Sequence, residues 1–161
     1  MKIERYKKTT KDRYKIYLDD GRELLLYEDV ILKFELLLKK EILEKDIMGI
    51  ELFNQECDVY HVALESINHR FKSIYDTKEF LIKKEYPIDM IDICIDKLVN
   101  QGYLNDRSFA KSYINNQIIT TNKGPYKIRR ELGEHRVDGN IIDEELIVFN
   151  EEKQLEKINK V

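Results

Sequence analysis

Apolar and polar positions alternate along Arg13–Leu18. Tyr14, Ile16 and Leu18 take one parity and Arg13, Lys15 and Tyr17 the other. A period of two puts each set on its own face of a β-strand. Asp19-Asp20-Gly21 follows, a hairpin signal because glycine accepts positive φ without cost. RELLLY returns as the next strand, and KIERYKK near the start reads as a third. After Tyr27 the period changes. In EDVILKFELLLKK, Val30, Ile31, Phe34, Leu37 and Leu38 fall on one helical face, with Glu28 and Asp29 suited to the helix N-terminus. A three-stranded sheet needs such a helix over its apolar side. Residues 41–56 are expected to form another short helix, so residues 1–56 read as a strand-rich subdomain with covering helices.

From Asp58 onward the pattern is helical throughout. One stripe holds Val59, Val62, Ala63 and Ile67, and a second holds Thr77, Phe80 and Leu81. A third holds Ile88, Ile91, Ile95, Leu98 and Val99. Gly102 then stops the chain, Asn105 or Asp106 caps, and Phe109, Ala110, Tyr113, Ile114 and Ile118 make the fourth stripe. Gly124-Pro125 opens a fifth helix, with proline at the first helical position. That helix carries Ile128 and Leu132, and a sixth carries Ile141, Ile142, Leu146 and Phe149. A shift of 51 positions lays Ala63 on Ile114, Leu81 on Leu132, Ile91 on Ile142 and Ile95 on Leu146. The fold class is therefore mainly α: tandem three-helix repeats after a small N-terminal β-hairpin, sheet and helix subdomain. The first repeat is assigned to residues 57–104 and the second to 105–150. Residues 151–161 are read as the start of a truncated or absent third. Gly102, Tyr103, Leu104, Asp106, Phe109, Ala110 and Tyr113 make the joint that sets the angle between the repeats.

Composition narrows the function. Charged residues are 37% of the chain, and the net charge is −3, so no overall nucleic-acid signature is present. Basic residues crowd the first seventeen positions and KGPYKIRREL, while Asp143–Glu156 is acidic. Such asymmetry can orient a partner or simply solvate a face. No apolar run approaches the roughly 18 residues of a membrane span. No apolar leader core occurs, and two cysteines are too few for a disulfide framework. The expectation is a cytoplasmic protein without membrane contact.

No Walker loop, dinucleotide glycine pattern or nucleophile elbow occurs. Cys57, His61 and Glu65 share spacing with part of a metal site, but no second ligand pair accompanies them, so neither metal nor cofactor is expected. His69 and His135 have no spaced partners. Asp89, Asp92 and Asp96 read as the wet face of a helix. Basic residues stand out instead: Arg70 and Lys72 after the first repeat's first helix, Lys78, Lys83 and Lys84 on its middle helix, and Lys127, Arg129 and Arg130 on the second repeat's middle helix. Such density suits phosphates, acidic protein surface or plain solvation.

Three motifs carry a resemblance. Arg70-Phe71-Lys72-Ser73 is similar to an Arg-x-Arg-Ser segment. Gly102, Tyr103, Leu104, Asn105 and Asp106, followed by Phe109, Ala110 and Tyr113, match a hallmark of Gly-Tyr, Leu or Ile, Asp or Asn, and Asp, followed by Phe-Ala and an aromatic. Gly124, Pro125, Ile128, Glu131 and Leu132 match Gly-Pro-x-x-Ile-x-x-Glu-Leu. Over residues 58–150 the chain resembles the RecX family of bacterial regulatory proteins. It departs where the family usually ends each middle helix with glycine: here Glu85 and Arg136 stand. The resemblance implies a monomeric, non-enzymatic regulator in homologous recombination, DNA repair and the SOS response. Such a protein docks on the RecA recombinase filament and inhibits its growth, strand exchange, ATPase and co-protease activity. DNA is expected to bind weakly and without sequence preference. Arg70, Lys72, Lys127, Arg129 and Arg130 are the expected contacts, and the joint residues are structural. A stand-alone DNA-binding helical protein and a metal-dependent nuclease using Asp89 or Asp92 are the rival readings.

Overall fold

The computed structural model describes residues 1–10 and 12–159, and for Thr10 and residues 153–159 the backbone alone. Among the described residues it holds three strands and eight α-helices. They divide into two compact units, Met1–Val62 and the residues from Ala63 onward.

The first unit opens with β1 (Ile3–Thr10), β2 (Arg13–Leu18) and β3 (Glu23–Tyr27), an antiparallel sheet in the order β1-β2-β3. The alternation in β2 has its expected meaning: Ile16 and Leu18 are buried and Tyr14 packs against the same core. Gly21 takes φ +90° in the turn, and Asp20 accepts from the Arg22 backbone N–H at 3.0 Å. The covering segment is broken, unlike the single helix expected. It forms α1 (Glu28–Lys33) and α2 (Leu36–Lys39), with Glu35 between them at φ 52°. The break moves the apolar face, so Leu36 is buried while Leu37 and Leu38 are exposed. A turn of 3₁₀ helix (Glu44–Asp46) leads into α3 (Ile47–His69). Helix α3 replaces the short helix expected over 41–56 and runs through the boundary expected at 56/57. NQECDV contains no proline or glycine to stop a helix, and the capping side chains in it, Asn54 and Asp58, accept hydrogen bonds from Tyr27 instead.

The second unit takes in the last part of α3, then α4 (Ile74–Lys83), α5 (Ile88–Asn100), α6 (Asp106–Thr120), α7 (Pro125–Glu134) and α8 (Gly139–Asn159). The repeat is visible in the backbone. Helices α4 and α7 start and end 51 positions apart, and α5 and α8 start 51 apart. Glu85 and Arg136, also 51 apart, both enter the left-handed region, at φ 65° and 58°. Each closes its helix without the usual glycine. After α7 the closure is a Schellman pair: Arg136 N–H donates to Gly133 O and Val137 N–H to Leu132 O. Buried positions follow the same offset, with Leu81 and Leu132, Ile91 and Ile142, and Ile95 and Leu146 all inside. Helices α6, α7 and α8 share one core built on Phe109, Ala110, Ile114, Ile128, Leu132 and Ile142. Helix α8 continues without a break past Asn150, so the boundary expected at 150/151 falls inside it. Residues 160 and 161 of the expected third repeat lie outside the described residues.

Candidate interaction groove between the repeats

The joint is built on hydrogen bonds. At the end of α5, Gly102 sits at φ +83°. Gly102 N–H donates to Val99 O at 3.0 Å and Tyr103 N–H to Leu98 O at 2.9 Å, a Schellman closure that needs the left-handed residue. Leu104 follows into the core, and Asn105 caps α6 by accepting from Ser108 N–H at 3.0 Å. Asp106 therefore does not cap its own helix. It reaches the first repeat, where its Oδ1 accepts from Ile74 N–H at 2.9 Å at the start of α4. Burial raises its carboxyl pKa, opposed by that hydrogen bond. Phe109 and Ala110 are buried and Tyr113 half-buried. Tyr103 is 51% exposed, the one joint residue whose ring stays in water.

The Arg70–Ser73 segment has a local reason. Ser73 is buried and caps α4, accepting from Asp76 N–H at 3.1 Å. That fixes the three residues before it beside α6. Phe71 stacks on Phe109 with ring centroids 6.2 Å apart and planes 5° from parallel. Lys72 lies along Phe80, its Nζ 4.0 Å from the ring centroid, and donates to Ser66 Oγ at 2.6 Å. Burial lowers its pKa, and the nearby Arg70 adds to the effect. Together these residues border a groove of about 840 Å³ between α4 and α6. His135 also lines it; its Nδ1 meets Asp76 Oδ2 at 2.6 Å and its ring stands edge-on to Phe109 and Tyr113. Tyr113 donates its hydroxyl to Glu131, which also pairs with Lys123 at 2.8 Å. Burial and this acceptor push the phenol pKa up, while Lys123 and then Tyr113 hold Glu131 below the ordinary carboxylate value.

The five cations singled out in the sequence thus separate. Arg70 and Lys72 are brought together at the groove. Arg129 is committed to its own repeat, its guanidinium forked onto Asp143 of α8 at 2.7 and 3.2 Å. Lys127 and Arg130 lie exposed on α7 beside Tyr126, which is 85% exposed. Of the groove's aromatic residues, Phe109 and Tyr113 were assigned to the joint, Phe80 to a helical stripe and Phe71 to a motif, none of them as a contact, and the Asp76–His135 pair was not foreseen. The usable signal was Phe71 inside the Arg70–Ser73 motif, an apolar residue flanked by cations where no stripe needs one. Elsewhere, His61 stacks on Tyr27 and faces Asp29 at 3.4 Å, while Cys57 is buried. Asp89, Asp92 and Asp96 are exposed. Among the described residues no cluster of His, Cys, Asp and Glu could hold a metal ion, and no helix is long and apolar enough to cross a membrane.

Comparison with known proteins bears on the whole chain. Residues 105–146 match the family model described as RecX, second three-helix domain. The regulatory protein RecX of Bacillus velezensis is 33% identical over 159 residues, 99% of this chain and 60% of its own length. That of Bacillus subtilis is 35% identical over 153 residues, 95% of this chain and 58% of its own. A crystal structure of regulatory protein RecX superposes with a TM-score of 0.79 at 29% identity, covering 92% of this chain and 73% of that one. The chain belongs to the RecX family. It spans about three-fifths of the length of these curated relatives. A second solved member, RecX from Lactobacillus salivarius, is 27% identical with a TM-score of 0.58 over 64% of the chain. The family's Ser73 and Gly102 positions have structural tasks here, a helix cap and a left-handed closure.

Proposed function

We propose that this chain acts as a cytoplasmic monomer that docks on the DNA-bound RecA recombinase filament. There it restrains filament growth, strand exchange, ATP hydrolysis and co-protease activity, and so tempers recombination, repair and the SOS response. It works by binding, with no reaction of its own. One observation carries the reading. Two helical repeats, joined through the Gly102 turn and the Asp106 hydrogen bond to α4, present exposed aromatics and cations without an ion pair among the described residues along one groove, in a chain matched nearly end to end by regulatory proteins. DNA contact is secondary: the net charge is −3, and several basic side chains of the second repeat are already neutralised, Arg129 by Asp143 and Arg107 by Glu144 and Glu145.

Titration of the chain into RecA hydrolysing ATP on single-stranded DNA tests this. Hydrolysis is expected to fall as the chain is added. The pair Arg70→Glu with Lys72→Glu, and separately Lys127→Glu with Arg130→Glu, should weaken the inhibition at unchanged helical content. Arg129→Glu should lower stability as well, because it sets a second carboxylate against Asp143. Full hydrolysis at saturating chain would end the reading.

A further inference from the structure

The groove carries chemistry that a regulatory role by itself does not assign. Its floor is aromatic, and Phe71 covers part of that floor while keeping 54% of its surface in solvent. Its rim holds Arg70, Lys72 and Lys83, and among the described residues none of the three has an ion-pair partner. Lys72 is the most informative. Its side chain is half-buried, and among the described residues a serine hydroxyl is its hydrogen-bond acceptor, with a ring face beside it and Asp76 acting on it only through space. An ammonium carries three donors, and a partly desolvated one with a single hydrogen-bond acceptor is unfavourable. The α4 wall also bears acids. Asp76 is occupied by His135, and Glu79 stands one turn further along the helix. On the α6 wall, Gln117 keeps its Oε1 buried with no hydrogen-bond partner among the described residues.

We propose that this groove receives a short peptide segment of the protein partner in which a carboxylate neighbours an aromatic or branched aliphatic side chain. The carboxylate sits on Lys72 and Arg70, and the apolar side chain covers the open face of Phe71. The idea rests on the regulatory reading and names the site through which it acts. Charge complementarity favours a peptide over a nucleic-acid strand. A strand brings a phosphate with every nucleotide, and Asp76 and Glu79 on the same wall repel a row of them. One or two carboxylates meet the unpaired cations without that conflict. A peptide backbone also offers N–H donors that Gln117 can accept after its amide turns, whereas a phosphodiester offers none. A volume of about 840 Å³ suits a few side chains.

Fluorescence anisotropy on the full chain tests the assignment with three labelled probes. One is a short soluble peptide of Glu-Phe pairs spaced by Gly-Ser, the second has Ser in place of Phe, and the third is a short oligo(dT). The Glu-Phe peptide is expected to bind, the Ser peptide about tenfold more weakly, and oligo(dT) should not displace the first. Lys72→Met keeps the stem on Phe80 but removes the charge, and should cost about tenfold in affinity, as a charge-assisted hydrogen bond predicts. Phe71→Ala should cost a similar factor. Absence of Glu-Phe binding, binding indifferent to both substitutions, or displacement by oligo(dT) overturns the proposal. The RecA ATPase assay separates the two ideas. Inhibition undiminished in Lys72→Met removes the groove and leaves the regulator. Peptide binding by a chain that does not inhibit RecA removes the recombinase as partner and supports the groove as a peptide site.

Discussion

Two carboxylates show how single residues set the second unit's stability. Asp106 spends its side chain on the first N–H of α4, so Asp106→Ala should cost about 1–2 kcal/mol in urea unfolding. Asp106→Asn keeps the acceptor and should stay within about 0.5 kcal/mol of the parent. The charge itself is a burden there. Burial raises the carboxyl pKa above its ordinary 3.8, so the stability linked to it is greatest below that value and declines as pH climbs through the folded value. Glu131 runs the other way. Lys123 and Tyr113 hold its pKa below the ordinary 4.5, so its contribution is present above pH 4.5 and lost as the solution is acidified through the folded value. Glu131→Gln should therefore flatten the acid limb of a plot of urea midpoint against pH. Neither partnership could be read from the chain. Asp106 looked like a cap because Asn105 and Asp106 are both good caps, and only the backbone decides which one turns inward. Asp76 and His135 are 59 positions apart, and no local spacing signals a contact at that range.

Elements were more legible than contacts, because helix and strand periods are local. The β2 alternation, the Gly102 stop and the Gly124-Pro125 start all correspond to the observed boundaries. Reading failed where a pattern allowed two phases. Across Val30–Leu38 an unbroken stripe needs Leu37 and Leu38 inside, yet Glu35 turns left-handed and buries Leu36 instead. Short apolar runs fit several helical phases, and tertiary packing chooses between them. The left-handed ends of α4 and α7 are the converse. The repeat enforces them although the residues resist, because Glu85 and Arg136 carry side chains where glycine is at ease. Glu85→Gly should therefore raise stability by about 0.5–1 kcal/mol, the relief of left-handed strain less the added freedom of the unfolded chain. Gly102→Ala should lower it by about 1 kcal/mol on the same reasoning. Space is not the limit at Gly102, since a Cβ would meet nothing within 4 Å. A loss there is thus purely a backbone effect, and thermal melting of the two variants in parallel separates strain from crowding.

At the scale of the whole molecule, charge decides between a protein partner and a nucleic-acid one. The chain is net negative, yet its groove and the exposed part of α7 present cations that few acids neutralise. A protein that holds DNA by its backbone releases a counterion for nearly every phosphate it neutralises. Its affinity then falls as a steep power of salt, with a slope close to the number of contacts. A few cations on a carboxylate-bearing protein surface lack a condensed ion atmosphere to release, and salt acts on them only by screening. Half-inhibition of RecA by this chain, measured between about 50 and 200 mM salt, should therefore shift only several-fold. Direct binding to single-stranded DNA without RecA should be weak and should lose orders of magnitude over the same range if it engages many phosphates. If inhibition itself follows the steep law, the chain acts on the DNA and not on the recombinase. The cations that matter would then be those on α7, where Lys127, Arg130 and Tyr126 are all exposed, rather than those that border Phe71.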